Sequence, residues 1–451
     1  MPAAFLPALL LGALPTCGPL DLDDAIAFAR ERSDELAIKQ SEVAAARADQ
    51  ALAFALRIVP SATATVLVGP SPEAHGDVVN FEGNTNRSFK DLRPFGRIDV
   101  NVVQPLYTWG RLSGASNAAD AGLDARLELV EDTAAQVEQR VVALYWATAL
   151  ARRLLALADE VDKALEEAEK KVAESLEKAD GEVSPSDRNR LAVFRSVVRA
   201  RTAEAQRAMD QARIGLAATM ALPQSRLALK EEVLPVAEGT EPNAAALLAQ
   251  AERQRHDLRA LDDAIEARRA LVKVEEGARL PQFFVAGTFA YSYAPNRDIQ
   301  LSPWVSDFFN TLNLGFVFGA RQDLSFPMLS ARVEKARAEE ATLTRQREGL
   351  LRLVGVQVDG AVADLRAART RLVATRTGQA AGRTLFRSVQ LEFASGLTEA
   401  KTLIESYALY VESQIAALTA AYDTIVARAR LAQVAGEPAR KERPRCELPS
   451  S

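Results

Sequence analysis

Apolar residues recur every three or four positions over much of this chain, the pattern of helices that pack side by side. From residue 123 the spacings alternate between four and three, through Leu123, Leu127, Val130, Ala134, Val137, Val141 and Leu144. No proline interrupts the chain from Leu112 to Ala179, or from about Ser330 to Phe393. The sequence therefore predicts two very long helices with coiled-coil seams, the first roughly 100 Å in length.

Four shorter segments, at about 61–69, 95–107, 283–293 and 311–324, alternate between apolar and polar or small residues as strands do. Each is about ten residues long, the length of a transmembrane β-strand with one face toward lipid. The positions that we expect to face lipid are Ile98, Val100, Val102, Leu314, Phe316 and Phe318. Two ordinary hairpins on a helical protein would show a similar alternation, so that alternative stays open.

Aromatic residues gather at the ends of these segments, as in the interfacial girdles of membrane barrels. They are Phe95, Tyr107, Trp109, Tyr291, Tyr293, Trp304, Phe308, Phe309 and Phe326. Four strands cannot close a barrel without leaving unpaired edges. If these strands lie in a membrane, several chains must share one barrel, and three chains would supply twelve strands.

The whole pattern occurs twice, with a period near 220 residues. Residues 20–223 read as helix, strand, strand, long helix and helix, and residues 244–437 repeat that order. A segment at 224–243, containing Pro235 and Pro242, links the two repeats. We expect the basic tail, 438–451, to be disordered.

The N-terminus has the apolar core of an export signal. Residues 3–14 are almost all apolar but too few to span a bilayer, so we expect residues 1–18 to be a signal peptide. Cys17 is a weaker candidate for lipidation after cleavage.

Composition excludes several classes of function. The 55 basic and 60 acidic residues give a net charge of −5, which argues against a nucleic-acid binder. With two Cys and two His, the chain offers no catalytic cluster, no metal site and no cofactor motif, so we do not expect an enzyme. We expect His75 and His256 to be solvated rather than ligands.

With these residues in view, the chain resembles the TolC family of outer-membrane efflux proteins. The resemblance extends from Leu20 to about Gly436 and includes three segments, LDLDDAIAFARERSDEL (20–36), VVQPLYTWGRLSGASNAADA (102–121) and EFASGLTEAKTLIESYALYVESQIAALTAAYD (392–423). The first departs from the family pattern, because Ser33-Asp34 stands where Asn-Pro is usual. The duplicated order of elements is the most specific feature.

The resemblance implies a mainly α-helical protein with membrane β-strands, a TolC-like trimeric α/β-barrel. A homotrimer would place a twelve-stranded barrel in outer-membrane lipid of a Gram-negative bacterium and a helical tube in the periplasm. It would be the passive exit duct of a tripartite efflux pump or a type I secretion system. Its implied partners are a periplasmic adaptor (membrane fusion) protein and an inner-membrane transporter. The competing interpretation is a periplasmic coiled-coil adaptor or scaffold without a barrel.

The resemblance also points to the helix turns of the two repeats. For the pore entrance and its gating it implicates Asp187, Glu182, Thr402, Glu405 and Lys401, and for the helix turns and adaptor docking Gly181, Ser184, Gly396 and Thr398. Ser184 with Pro185 is also a good helix N-cap, and Asp187 would stabilise the same helix end through its dipole. For Asp187 the capping and pore-lining roles remain equally open.

Overall fold

A computed structural model describes residues 18–76, 87–178, 183–235, 241–300, 302 and 304–440. Contacts divide the chain into two compact units. The first unit comprises Met1–Glu42, Leu127–Arg259 and Glu348–Ser451, and the second comprises Val43–Arg126 and Ala260–Arg347. Three of the predicted site residues, Cys17, Gly181 and Glu182, lie outside the described part of the chain, as does the predicted signal peptide up to residue 17.

The described elements follow the same order in both halves of the chain. The first half contains α1 (Leu22–Arg32), α2 (Asp34–Ile58), β1 (Ser61–Ala74), β2 (Arg87–Tyr107), α3 (Arg111–Lys178) and α4 (Pro185–Thr219). The second contains α5 (Ala244–Gln254), α6 (His256–Gly277), β3 (Gln282–Tyr293), β4 (Thr311–Arg321), α7 (Phe326–Ala394) and α8 (Ala400–Val434). A single 3₁₀ turn, Gln224–Arg226, lies in the predicted linker.

The opening helix of each half is broken, which the sequence pattern did not predict. Ser33 separates α1 from α2 and Arg255 separates α5 from α6, each with extended ψ near 125°, at 126° and 124° respectively. The Arg255 guanidinium donates to both carboxylate oxygens of Asp257, at 3.0 and 2.6 Å, and to the amide oxygen of Gln357 at 2.8 Å. Apolar periodicity continues through both breaks, so it cannot locate them.

The coiled-coil seam of α3 forms the core of the first unit, as its heptad spacing predicts. Ala134, Val137 and Val141 are fully buried, together with Tyr145 one turn further on. They pack against Phe28 of α1 and against the end of α4. Burying a side chain the size of valine or larger contributes about 1.5–3 kcal/mol, so Val137 and Val141 make this seam a main source of the unit's stability.

The start of the predicted disordered tail is ordered, which corrects that expectation for residues 438–440. Ala439 is only 6% exposed and joins the same core. The Arg440 backbone N–H donates to Glu138 at 2.7 Å, and its side chain pairs with Asp23. Residues 441–451 lie outside the described part of the chain.

The four strands form one antiparallel sheet in the order β1-β2-β3-β4, within the second unit. β1 and β2 are longer than predicted, because pairing continues past Pro70 opposite Pro94. Proline is tolerated there because β1 is an edge strand and β3 reaches only as far as Gly96, so Pro94 interrupts no central ladder. β4 ends at Arg321, three residues before the predicted limit.

Candidate functional site

The register of the sheet places most of the large apolar residues on one face and most of the polar residues on the other. Val102 lies opposite Gly287, Val100 opposite Phe289 and Ile98 opposite Tyr291, and these continue across β4. This apolar face carries Val66, Val68, Ile98, Val100, Val102, Phe289, Tyr291, Leu312, Leu314, Phe316 and Phe318. The opposite face, called the polar face here, carries the polar residues of the strands together with some apolar ones. Its polar residues include Thr63, Thr65, Arg97, Asp99, Asn101, Thr288 and Asn313, and its apolar residues include Leu67, Val103, Phe284 and Val317.

All six strand residues predicted to face lipid lie together on the apolar face. On β4 the side chains of Leu314, Phe316 and Phe318 are 67%, 76% and 69% exposed. A contiguous apolar surface of this kind is unstable in water and marks contact with lipid or protein. The sheet also ends in two open edges, because within the described residues β1 pairs only with β2, and β4 only with β3.

The aromatic residues predicted to form a girdle lie in different environments, and for Phe95 the prediction is wrong. Tyr291 and Tyr293 are exposed, and the rings of Tyr107 and Trp109 meet edge to face at 4.8 Å where the chain leaves β2 for α3. Phe95, however, belongs to the polar face and is only 7% exposed, packed against the rings of Phe308 and Phe309. Phe95 is separated from Asp99 and Asn101 by an even number of residues, and residues so spaced on a strand share a face. This spacing would have predicted that Phe95 lies on the polar face.

Asp187 folds back onto the start of its own helix. The backbone N–H and the hydroxyl of Ser184 donate to its Oδ2 at 3.0 and 2.8 Å, and Arg190 donates to its Oδ1 at 2.7 Å. Ser184 is the N-cap of α4 and Asp187 its N3 residue, which makes a capping box. Burial has the largest single effect on the Asp187 pKa and raises it, because burial favours the neutral acid. The hydrogen bonds from Ser184 and Arg190 together outweigh burial, so the pKa of Asp187 is lower than usual.

The side chain of Asp187 is thus fully engaged within the single chain, and the residue is only 6% exposed. Arg190, its partner three residues on, was not among the predicted site residues. A carboxylate and an arginine at this spacing on a helix form a common ion pair, so the sequence did contain the signal.

Gly396 ends α7 in the left-handed conformation, with φ of 69°. The Leu397 N–H donates to Glu392 O at 2.9 Å and the Gly396 N–H to Phe393 O at 3.0 Å, which is a Schellman motif. Nothing lies within 4 Å of where a Cβ would be, so glycine is favoured by backbone conformation rather than by crowding. This turn leads to the N-cap residue of α8, Glu399.

The remaining predicted turn residues lie at or just before the start of α8. Thr398 is half-buried, whereas Lys401, Thr402 and Glu405 are exposed. Glu405 and Ile404 line a shallow groove between α8 and α4, and Arg190 and Val193 line its other side. The rings of Phe194 and Tyr407 meet edge to face, 6.2 Å apart. The structure therefore brings Glu405 and the partner of Asp187 to one groove.

The two histidines differ from each other. The His75 ring is about half exposed, with its two nitrogens 2.8 Å from Glu73 and 3.1 Å from Asp298. The expectation of a solvated His256 is wrong, because its side chain is 17% exposed and Nδ1 lies 2.5 Å from Glu128. No three His, Cys, Asp or Glu side chains among the described residues are grouped as a metal site would require.

No family model matches the chain, and no curated protein matches its sequence. Solved structures do match. The outer-membrane channel OprN aligns with a TM-score of 0.75 at 16% identity, covering 92% of this chain and 89% of OprN. The CmeC outer-membrane channel of Campylobacter jejuni gives 0.76 at 14% identity, covering 98% and 94%. The MtrE outer-membrane channel of Neisseria gonorrhoeae, in its open state, gives 0.73 at 18% identity, covering 92% and 88%.

At identities of 14–18%, these matches establish the fold alone. The structural matches confirm the mainly α-helical architecture with four antiparallel strands and long helices that the sequence predicts. The chain has the fold of the TolC-type outer-membrane channels.

Proposed function

We propose that this chain is a passive outer-membrane channel, the exit duct of an export system in a Gram-negative bacterium. The two-faced sheet with open edges is the observation that carries the proposal. An apolar face outward and an inward face that carries most of the polar residues of the strands are what a water-filled membrane barrel requires. The fold shared with OprN, CmeC and MtrE supports the same conclusion.

Barrel closure leads to the proposed homotrimer. Unpaired backbone groups cannot remain exposed in lipid, so the edges at β1 and β4 must pair with other chains. Cyclic symmetry lets the β4 edge of one copy pair with the β1 edge of the next, and three copies complete twelve strands. The long helices of each copy would continue the duct as a helical tube.

The helix turns of the first unit are the proposed periplasmic entrance. Three copies of Asp187 and Glu405, with Glu182, Thr402 and Lys401 nearby in sequence, would line it. Because each Asp187 binds an Arg190, the Asp187 ring would carry little net charge, which weakens cation binding by that ring. Gly181, Ser184, Gly396 and Thr398 shape the turns where we propose that a periplasmic adaptor docks.

The chain would do no chemistry of its own. Energy would come from an inner-membrane transporter joined through the adaptor, in a tripartite pump or a type I secretion system. A periplasmic coiled-coil scaffold, the competing interpretation, would leave the apolar face and both sheet edges in water, which disfavours it.

Arginine placed on the two faces of β4 tests the proposal. Phe316→Arg puts a charge toward lipid, which costs about 2–4 kcal/mol per chain near mid-membrane. Asn313→Arg puts the same side chain on the polar face of the same strand. We expect Phe316→Arg to abolish the trimer band from outer-membrane fractions in unheated gels, and Asn313→Arg to preserve it. Equal trimer yield from both variants would contradict the assignment of the faces.

A further inference from the structure

The end of the sheet at which the strands join the helices carries an excess of arginine. The strand pairing places all four junctions between strand and helix at this same end. Within four residues of the strand ends, the junctions contain four arginines and one carboxylate, which leave a net charge of +3 per chain. These residues, all exposed, are Arg57, Arg111, Arg279, Arg321 and Asp323.

Arg321 is the arginine whose direction the sheet fixes, because it is the last residue of β4. An even number of positions separates it from Asn313, so it shares the polar face. Gln282 lies directly opposite Arg321 on β3, and Phe284 is the next β3 residue on that face. The Arg321 guanidinium lies 5.5 Å from the centre of the Phe284 ring, which agrees with this placement.

The ring beneath Arg321 depends on a glycine. Phe284 lies directly opposite Gly319, and a Cβ built at Gly319 would lie 2.7 Å from Cζ of the ring, closer than side chains approach. Glycine therefore leaves the room that the ring occupies across β4. Cation–π attraction holds the guanidinium over the ring without neutralising its charge.

The other charges of the sheet cancel each other. From the row of Arg97 to the helix end, the four strands contain three charged side chains, Arg97, Asp99 and Arg321. Arg97 donates to both carboxylate oxygens of Asp99, at 2.6 and 2.7 Å, so this pair carries no net charge. The net charge of this part of the polar face is therefore that of Arg321.

No carboxylate among the described residues forms an ion pair with Arg321. The nearest along the chain, Asp323, is turned toward the start of α7, where its Oδ1 accepts from the Ser325 N–H at 2.9 Å and from the Ser325 hydroxyl. The Arg321 guanidinium is thus exposed and held over an aromatic ring, with its hydrogen-bond donors available to an anion.

We propose that the helix end of the barrel lumen is a selectivity site for anions, with Arg321 as the selecting group, and that the cargo of this channel is anionic. The inference rests on the proposed function and deepens it, because it takes the polar face as the lumen wall. In the trimer three Arg321 side chains would form a ring, and arginine rings in pores favour anions. Low-dielectric walls strengthen the field of such a ring. A carboxylate or phosphate group passing it would accept two parallel hydrogen bonds from a guanidinium.

Reversal potentials of the purified trimer in planar bilayers test the site. The probe is potassium chloride alone, with about 0.1 M on the dilute side of the gradient, where the Debye length is about 10 Å. The sign of the potential reports which ion crosses more readily, and we expect chloride to do so.

Arg321→Gln removes the charge and keeps a polar side chain. We expect it to lower the ratio of chloride to potassium permeability about threefold, the low end of what focused fields produce at this salt concentration. Arg321→Lys keeps the charge and should keep the ratio. Trimer bands in unheated gels verify assembly of each variant.

Lys335→Gln is the matched control, because it removes one exposed positive charge from the same unit of the chain. Lys335 lies about 14 Å along α7 from its first residue, beyond the Debye length. Its loose partner, Glu339 at 3.9 Å, keeps an ion pair with Arg268 at 2.8 Å. We expect the permeability ratio to stay unchanged. Equal ratios in Arg321→Gln and Lys335→Gln, or an unsubstituted channel that passes potassium more readily than chloride, would overturn the anion site.

Thiol labelling in outer-membrane fractions separates this result from failure of the proposed function. Val317→Cys places a thiol on the polar face of β4, and Phe318→Cys places one on the apolar face. The probe is a methanethiosulfonate that carries a sulfonate, and the unsubstituted chain, with Cys17 and Cys446, sets the background. If Phe318→Cys reacts as fast as Val317→Cys, the faces are not lipid and lumen, and both the barrel and the anion site are wrong. Faster reaction of Val317→Cys with an unchanged permeability ratio in Arg321→Gln would overturn the anion site alone.

Discussion

Ala221 and Gly436 occupy the same position in the two halves of the chain, each ending the last helix of its repeat with a left-handed residue. Their φ angles are 49° and 73°. The Leu222 N–H donates to Ala217 O at 2.8 Å, and the Glu437 N–H donates to Ala432 O at 2.9 Å, the long hydrogen bond of a Schellman motif. The duplication seen in the sequence thus extends to the hydrogen bonds of helix termination, but only one copy has glycine there.

Ala221→Gly should therefore stabilise the protein. The left-handed conformation costs an L-residue about 1–2 kcal/mol, which glycine would not lose. Glycine also has more conformational freedom in the unfolded chain, and this offsets about 0.5–1 kcal/mol of that gain. We expect a net increase in the free energy of unfolding of up to about 1.5 kcal/mol, measured by thermal or guanidinium unfolding of the purified protein in detergent. The control is Ala218→Gly, at an exposed position one turn earlier in α4. We expect this substitution to lower the free energy of unfolding by about 1 kcal/mol. Similar losses in both variants would show that Ala221 is not strained.

Arg190 should mask the negative charge of Asp187 at the proposed entrance. Arg190→Gln leaves the Ser184 hydrogen bonds in place and removes the neutralising partner, so the Asp187 ring becomes more negative. We expect magnesium to block single-channel conductance in planar bilayers at roughly two- to fivefold lower concentration, the range for a half-exposed ion pair. Adding Asp187→Asn to that variant should reverse the change.

Arg188→Gln controls for that experiment, since it removes the same charge from an exposed position on the same turn. Greater magnesium sensitivity in Arg188→Gln than in Arg190→Gln would place the effect outside the Asp187 pair. Unchanged block in Arg190→Gln would leave Asp187 a capping residue without a part in conduction.

The link between His75 and Asp298 should depend on pH. Hydrogen bonds to Glu73 and then to Asp298 raise the His75 pKa above its ordinary value, which favours the charged ring in the folded protein. A raised folded-state pKa means that the contribution is fully present below about pH 6.5 and is lost as pH rises through the folded pKa. We expect the link to hold the chain around Asp298 to the end of β1 more firmly in acid.

Carbon-13 labelling of histidine can measure this pKa by NMR, because the chain has two histidines and a His256→Gln variant assigns the signals. Asp298→Asn should move the His75 pKa toward about 6.5. A His75 signal that titrates at or below its ordinary value in the unmodified protein would exclude the paired geometry.

The sequence predicted the features that depend on simple periodicity. The heptad run through Val137 and Val141 gives the buried seam of α3, and alternation through Ile98 and Phe316 gives the two faces of the sheet. Both follow because side-chain direction is fixed by the period of the element. The breaks at Ser33 and Arg255 were missed, because the apolar period continues through both of them. The hydrogen bonds that Arg255 makes to Asp257 and Gln357 leave no mark on that period.

The site was less predictable than the fold for a related reason. The prolines at 70 and 94 led us to end the predicted strands there. Proline is tolerated at the edge of a sheet, however, so the pairing of β1 with β2 continues past them. Aromatics near strand ends looked like one girdle, although the parity of Phe95 already placed it on the polar face. The role of Asp187 depends on whether its carboxylate turns to Ser184 and Arg190 or to the axis of a trimer, and that choice lies beyond local sequence.

The account depends most directly on three chains sharing one barrel. Electron microscopy of the protein extracted in detergent from outer-membrane fractions tests this claim. We predict a three-fold particle in which each copy contributes four strands to a closed twelve-stranded barrel. A protein that needs no detergent and appears as a monomeric or dimeric rod would contradict the account, and the sheet would then belong to a coiled-coil scaffold.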